Sequence, residues 1–205
     1  MSRRLLAVAA LVLTAAIAIA LIAVPSGEKP REPLVVGIEL KGATDASDTA
    51  TGFVVGRGQV VTVAHVLDPG REMLVHVGGQ AHRARLLRAD RRYDLALIAV
   101  PGLGPDAGAR RAGGGDRLLV VRRGRTIRLA ATLRRRIRAT VRGPDWGPYR
   151  RPAMELATHA ELGDSGAPLV DSHGHVAGVL FARKSDGSRT AYAVDASALD
   201  EFLSR

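Results

Sequence analysis

The chain has 205 residues, no cysteine and a formal net charge of +10. The lack of cysteine excludes disulfides, thiolate metal sites and a cysteine nucleophile, and with only 3% aromatic residues a core must rely on Val, Leu, Ile and Ala. Arginine clusters at 122–123, 134–136 and 150–151 lack interleaved aromatic residues, so no nucleic-acid partner is expected, although the clusters could attract anionic lipid headgroups.

An uncharged apolar segment near the N-terminus, residues 5–24, is long enough to cross a membrane as a helix. Two arginines within residues 1–4 favour a cytoplasmic N-terminus, which would place the rest of the chain outside the cytoplasm. Small residues at 18–20 also fit a signal-peptide cleavage site, which would leave a secreted protein. We favour an uncleaved signal anchor, because the apolar run continues past that site, and residues 25–33 then form a short tether.

The remaining chain, residues 34–205, is predicted as one all-β domain of short strands separated by Gly, Pro and Asp turns. Within about residues 34–100, strands are predicted at 34–40, 52–55, 59–63, 72–77, 81–89 and 94–100. His65 follows the third of these strands, and Asp94 opens the last. Imidazole and carboxylate are the groups that serve as general base and as its orienting partner.

A Gly/Pro/Ala-rich connector, residues 101–115, separates the two halves of the domain. Within about residues 116–194, strands are predicted at 117–121, 126–141, 154–158, 167–170, 175–182 and 191–194. The segment 126–141 alternates apolar and polar residues, which is typical of one long strand with an arginine-rich solvent face. Asp195 or Ser197 is expected to cap a final short helix that runs to Leu203.

Residues 163–168 read Gly-Asp-Ser-Gly-Ala-Pro and place Ser165 in a turn between glycines. A serine hydroxyl becomes a good nucleophile only when a base takes its proton and donors receive the developing charge. The flanking glycines let the backbone bend so that N–H groups can point at an oxyanion. Such a turn alone is also typical of an ordinary loop, but His65 and Asp94 precede it in the order of a catalytic triad.

These segments resemble the trypsin-like serine proteases, which have the same His–Asp–Ser order. Residues 51–55, 62–66 and 163–168 are similar to the strand, histidine and serine motifs of that family, and residues 90–98 to the aspartate motif of its bacterial HtrA-like branch. The short chain suggests a compact member without a PDZ domain. Ala167 stands where the family usually has a second glycine, and alanine fits there unless the position requires a positive φ.

The resemblance implies two six-stranded antiparallel barrels with the site between them. It implies Ser165 as nucleophile, His65 as base and Asp94 as the group that orients the imidazole, with the N–H groups of Gly163 and Ser165 as the oxyanion hole. By the same resemblance, a substrate pocket would be walled by His159, Leu180, Phe181, Ala182 and Arg183. Asp164 is expected to anchor the serine turn through buried backbone or a basic partner. The mechanism requires no metal and no organic cofactor.

The function predicted in this way is that of a membrane-tethered, extracytoplasmic serine endopeptidase acting on proteins or peptides. An apolar residue before the scissile bond is expected, because the predicted walls are apolar and lack an acidic base. The alternative is a protease-fold binding module at the cell envelope that has lost catalysis. An α/β-hydrolase is disfavoured, because its elbow needs glycine two residues after the serine and its acid and histidine follow the serine.

Overall fold

The computed structural model describes residues 32–42, 47–68, 70–103, 112–143 and 146–205. Within these ranges the chain forms thirteen β-strands and one α-helix, which confirms the all-β class and the short C-terminal helix. The predicted membrane-spanning segment, residues 5–24, lies outside the described residues, as do residues 104–111 of the predicted connector. No helix in the described part of the chain is long and apolar enough to cross a membrane.

The first half of the domain is a closed antiparallel barrel of six strands, as predicted. The strands are β1 (Val35–Lys41), β2 (Ser47–Gly56), β3 (Gln59–Val63), β4 (Glu72–Val77), β5 (Gln80–Asp90) and β6 (Leu95–Ala99). Their hydrogen-bonded order, β1-β2-β3-β6-β5-β4, closes on itself. Successive side chains of a strand point to opposite faces, and inward-facing residues such as Ile38, Val60 and Ile98 are at most 1% exposed.

The second half is a seven-stranded antiparallel sheet, where a barrel of six strands was predicted. Its strands are β7 (Arg117–Arg122), β8 (Arg125–Ala130), β9 (Thr132–Gly143), β10 (Trp146–Ala157), β11 (Pro168–Val170), β12 (Val176–Arg183) and β13 (Thr190–Asp195). They are hydrogen-bonded in the order β8-β7-β11-β12-β13-β10-β9 among the described residues. The additional strand arises because residues 126–141 form two strands rather than one.

The break between these two strands falls at Ala131. This residue is 4% exposed, and its N–H donates to the Asp116 carbonyl at 2.8 Å, which extends the β7–β8 ladder by one residue pair. The chain leaves that ladder after Ala131, because Thr132 is already paired with Ala157 of β10. β8 and β9 then lie at opposite edges of the sheet. Since one residue joins the two edge strands, the sheet must be rolled so that its edges approach each other at Ala131. The apolar alternation continues on both sides of the break, and the sequence pattern therefore gives no sign of it.

One hydrophobic cluster joins the barrel, the second sheet and the helix α1 (Ala196–Leu203). Phe53 of the barrel, Val179 of the second sheet and Phe202 of the helix are fully buried in it. The helix begins at the predicted cap, because the Asp195 carboxylate accepts a hydrogen bond from the Ser197 N–H at 3.0 Å. The two halves are thus fixed against each other by buried apolar surface, which gives the cleft between them a defined shape.

Candidate active site

The barrel brings His65 and Asp94 together through the pairing of two neighbouring strands. β3 and β6 are antiparallel, and Val63 at the end of β3 is paired with Leu95 at the start of β6. The residues just beyond those ends therefore lie at the same edge. The His65 N–H donates to Asp94 Oδ1 at 2.9 Å, and the His65 ring Nδ1 lies 2.8 Å from Asp94 Oδ2. Both carboxylate oxygens of Asp94 are thus engaged by one histidine: the backbone contact positions the carboxylate, and the Nδ1 contact orients the imidazole.

Asp94 is held in an unusual backbone conformation. Its φ is +58°, in the left-handed region that aspartate enters more readily than most residues, and only 8% of its surface is exposed. Its carbonyl accepts a hydrogen bond from the Ala64 N–H at 3.1 Å. Strain of this kind persists where the surrounding contacts over-determine the conformation, and here the contacts come from the segment that carries His65.

The serine turn lies in the loop between β10 and β11, and its two glycines are required by geometry. Gly163 and Gly166 both have φ near +91°. A Cβ added at Gly166 would lie 1.9 Å from the Thr51 carbonyl oxygen, and one at Gly163 would lie 2.8 Å from Thr49 Oγ1. No side chain fits either place, so the loop passes close to the barrel only because these positions lack one.

Ala167, in contrast, has an ordinary conformation. Among the described residues other than glycine, positive φ occurs only at Asp94 and Arg123. Ala167 is fully buried, its N–H donates to the Asp164 carbonyl at 3.0 Å, and its own carbonyl accepts from the Leu180 N–H at 2.9 Å. Alanine therefore replaces the family's usual glycine here without backbone strain.

Thr51, at the start of the predicted barrel motif, holds the serine turn through its backbone and side chain. Its N–H donates to the Ser165 carbonyl at 2.8 Å, and its hydroxyl donates to the Gly163 carbonyl at 3.2 Å. The Gly166 N–H is used as well, by the Leu180 carbonyl at 2.8 Å. The N–H groups of Gly163 and Ser165 donate to no described residue, so they stay free for another acceptor.

The Asp164 side chain is fully buried and is clamped by Arg122 of β7. Arg122 Nε donates to Oδ1 at 3.0 Å and Nη2 donates to Oδ2 at 2.6 Å. The same guanidinium reaches Glu161 Oε1 at 2.9 Å and the His159 carbonyl at 2.9 Å. Hydrogen bonding to Asp164 raises the pKa of Arg122. The prediction of a basic partner for Asp164 is confirmed, and Arg122 does not belong to a free basic surface.

A cavity of about 270 Å³ opens beside His65 and Ser165. Four of the five predicted pocket residues line it, together with the predicted catalytic residues His65 and Ser165. The full lining comprises His65, Ala160, Glu161, Leu162, Ser165, Leu180, Phe181, Ala182, Arg183 and Ser185. His159 is not in the lining, and its carbonyl accepts a hydrogen bond from Arg122. Leu162 is 86% exposed and offers an apolar rim next to the serine turn.

Ser165 and His65 share this cleft, but no hydrogen bond joins Ser165 Oγ to the His65 ring. Such contacts are often long in a free enzyme and shorten when substrate binds. The His65 side chain is 42% exposed, so its Nε2 edge is accessible from the cleft. The structure therefore brings two of the predicted residues into direct contact and places the third in the same cavity.

Arg151 is a site residue that sequence analysis missed. It is fully buried, and its Nη1 lies 3.5 Å from Asp94 Oδ2. The sequence suggested a surface cluster at 150–151, but the period of a strand offers a signal. Arg151 is two residues before the buried Ala153 on β10, and the two therefore share the inward face.

A group of candidate metal ligands lies on the turn between β11 and β12, shortly after Ser165 in sequence. In the described part of the chain, one set of three candidate ligands has its donor atoms within 4.8 Å: Asp171, His173 and His175. Asp171 Oδ1 accepts from the N–H groups of both histidines at 2.8 Å. This pattern is typical of a side chain that stabilises a tight turn, and the chemistry at Ser165 does not depend on it.

Comparison with protein families and curated proteins gives matches over most of the chain. The trypsin-like peptidase domain family matches residues 50–179. Serine protease Rv3671c of Mycobacterium tuberculosis strain H37Rv is 32% identical over 154 residues, and serine protease MT3772 of strain CDC 1551 matches equally. These alignments cover 71% of the chain but 39% of each relative. The chain thus corresponds to about two fifths of the length of the curated relatives it matches.

Solved structures agree with the sequence matches. The active form of the Rv3671c protease has a TM-score of 0.75 at 30% identity, covering 84% of this chain and 80% of that one. The inactive form of the same protease has a TM-score of 0.68 at 30% identity, with 84% and 88% covered. The overall fold is therefore more similar to the active form than to the inactive one.

Proposed function

Because the chain belongs to the trypsin-like peptidase family, we propose that it is a serine endopeptidase that cleaves protein or peptide substrates through Ser165, His65 and Asp94. The observation that carries the proposal is the contact of one histidine with both oxygens of Asp94, at 2.9 and 2.8 Å, beside a cavity shared with Ser165. A histidine that acts as a general base must have its imidazole held in a defined orientation, whereas a histidine on the surface does not.

In the proposed reaction, Ser165 Oγ attacks the carbonyl carbon of the scissile peptide bond. His65 Nε2 takes the hydroxyl proton, because its Nδ1–H is directed to Asp94 and leaves Nε2 as the acceptor. The resulting imidazolium gives that proton to the leaving amine as the C–N bond breaks. Water then attacks the acyl-enzyme with His65 again as base, which releases the acid product and restores Ser165.

The negative charge that forms on the carbonyl oxygen would be received by the N–H groups of Gly163 and Ser165. Both are free of other acceptors within the described residues, and Thr51 holds the carbonyls of the same two residues, which limits movement of the turn. Donors held in place before the reaction stabilise a transition state without reorganisation, and losing one typically costs about 2.7–4 kcal/mol.

An active conformation of the serine turn is supported by an ion pair within the chain, between Asp164 and Arg122. Asp164 is already bound by Arg122, so the buried carboxylate needs no newly formed N-terminal ammonium. A cleavage that freed such an N-terminus would fall before the Val35-Val36-Gly37 segment, whose first residue lies within β1 and is paired with Phe53. We infer that residues 34–205 form a protease domain that requires no cleavage before Val35.

For location, we propose that residues 5–24 anchor the domain at the outer face of the cytoplasmic membrane. The support is the length and apolar character of that segment and the two arginines before it. The mass of the mature protein distinguishes an anchor from a cleaved signal peptide, because cleavage near residue 20 removes most of the segment. A protein of full mass in the membrane fraction is the expected result.

The activity is tested with fluorogenic peptides that vary the residue before the scissile bond. Wild type should hydrolyse peptides with an apolar residue there, in keeping with Leu180 and Phe181 in the cavity lining, and Ser165→Ala should not. A folded wild type that cleaves none of them would favour the alternative of a binding module without catalysis.

A further inference from the structure

Arg151 of β10 is the largest fully buried residue in the described part of the chain. Its Nη1 lies 3.5 Å from Asp94 Oδ2, and its Nη2 donates to the Arg91 carbonyl at 3.2 Å. The guanidinium carbon lies 5.2 Å from the centre of the Phe181 ring. One buried cation therefore contacts both the carboxylate that holds His65 and an aromatic wall of the cleft.

This burial is unfavourable for the guanidinium itself. Nε and Nη1 have no hydrogen-bond acceptor among the described residues, and burial lowers the pKa of Arg151. A charged group taken out of water stabilises a fold only when its donors are well satisfied, and an apolar residue of similar size often serves packing as well or better. Stability alone thus gives a weak reason for arginine at this position.

The contact with Asp94 gives a stronger reason. The oxygen that faces Arg151 is the one that accepts from His65 Nδ1, at 2.8 Å. Burial favours the neutral form of a carboxyl group, whereas a cation beside it favours the carboxylate. A carboxylate keeps the proton of the imidazole on Nδ1, and Nε2 is then free to accept the serine proton.

We propose that Arg151 is a positioning residue of the triad, which acts through Asp94 and braces the Phe181 wall. This inference rests on the proposed function, and it adds a fourth side chain from a strand that carries none of the three triad residues. Because Arg151 is fully buried and does not face the cleft, it would affect the reaction by keeping Asp94 ionised and the imidazole of His65 in the tautomer that accepts the serine proton.

Other charged and titratable groups surround the pair on several elements: Asp90 of β5, Arg92 and Tyr93 of the following turn, Glu161 and Arg183 at the cleft, and Arg205 after α1. Asp90 is neutralised by Arg92 at 2.9 Å and by Arg205 at 3.3 Å. The Tyr93 hydroxyl donates to Glu201, and Glu161 is paired with Arg122. Within the described residues, Arg151 and His65 are the groups that pair with Asp94.

The test compares Arg151→Met, Arg151→Lys and a matched control, Arg150→Met, whose side chain is exposed on the same strand. Arg151→Met should lower kcat at least tenfold and change KM less than threefold, and Arg151→Lys should recover part of the loss. The acidic limb of the kcat/KM profile should move to higher pH, by about half a unit to two units, because removing a nearby cation stabilises the imidazolium. Arg150→Met should behave as wild type.

A folded Arg151→Met protein with the kcat and pH profile of wild type would overturn the proposal. If Arg151→Met does not fold, Arg151→Lys carries the test, with a weaker loss and a smaller shift expected. An effect of equal size in Arg150→Met would show a general charge effect and also overturn it.

Failure of the proposed function is recognised separately, by a wild type that cleaves no peptide. In that case the downfield proton resonance of the His65 imidazole is followed by NMR in a Ser165→Ala background, which needs no turnover. The resonance should be sharp in that background and with Arg150→Met added, and broadened or lost with Arg151→Met added. An unchanged resonance would contradict the role of Arg151.

Discussion

The two halves of the domain hold their parts of the site by different means. In the barrel, His65 and Asp94 meet because the β3–β6 ladder pairs Val63 with Leu95, so ordinary strand pairing does most of the positioning. In the second half, the end of the serine turn pairs with Leu180 of β12, whereas the part that carries Ser165 is held by Thr51 and by the Arg122–Asp164 ion pair. A regular sheet can therefore supply the base, while the nucleophile depends on a few side chains that must all be present.

The largest effect is expected in the barrel half, from Asp94→Asn. The amide keeps the shape of the carboxylate but disfavours the useful imidazole tautomer, and kcat should fall by roughly 10⁴. Steady-state kinetics and a thermal melt measure this together. If the two halves hold their parts of the site independently, the serine turn remains intact in Asp94→Asn. The variant should then lose much of its kcat but little of its melting temperature.

The second prediction concerns the serine turn and uses Gly166→Ala. The new Cβ would meet the Thr51 carbonyl oxygen at 1.9 Å, so the turn must move and activity should fall at least 10³-fold. Gly187→Ala is the matched control, because Gly187 has φ +78° with open space around it and should cost only about 1 kcal/mol of stability. Similar losses in both variants would show that backbone strain, rather than contact with the barrel, is responsible.

The third prediction concerns Arg122→Met, which removes the ion pair that holds Asp164. Asp164 would remain buried without its cation, which typically costs about 3–5 kcal/mol of stability, and kcat should fall together with it. Urea unfolding measures the first effect and peptide hydrolysis the second. The control Arg123→Met changes an exposed neighbour and should leave both unchanged. An Arg122→Met protein as stable as wild type would mean that the turn is held mainly by Thr51.

The smallest effect is expected from Ala167→Gly, which restores the residue usual in the family. Ala167 is buried in an ordinary conformation, so the change should leave kcat/KM within about threefold and lower stability by about 0.5–1 kcal/mol through greater chain entropy. A large gain of activity would show that alanine limits the oxyanion turn.

The contrast between the halves also decides how much could be predicted from sequence. Five of the six barrel strands were predicted to within one residue at each end, because alternating apolar residues and glycine turns define both their faces and their ends, whereas β2 runs from Ser47 to Gly56 and only 52–55 was predicted. The break at Ala131 was missed, since it leaves the alternation intact and consists of a change of partner strand, from β7 up to Ala131 to β10 from Thr132. Such a change of partner has no periodic signature.

The candidate site, like the fold, was predicted where local sequence patterns mark it and missed where tertiary contacts decide. Ser165, His65 and Asp94 stood out because each lies at a strand end or in a glycine turn within a recognisable motif. Arg122 and Arg151 were interpreted as surface arginine, because nothing local distinguishes an arginine that meets a buried carboxylate from one that meets water. His159 was placed in the pocket by resemblance to the family, whereas the neighbouring Ala160 lines the cavity and the His159 carbonyl is bound by Arg122.

The most direct test of the triad is covalent labelling with a fluorophosphonate, followed by intact mass and peptide mapping. A serine activated by His65 and Asp94 should take up one adduct per chain, located on Ser165, and the rate should fall sharply in His65→Ala and Asp94→Asn. Ser165→Ala should remain unlabelled. A folded wild type that acquires no adduct, or one located on another residue, would contradict the assignment of Ser165 as the nucleophile.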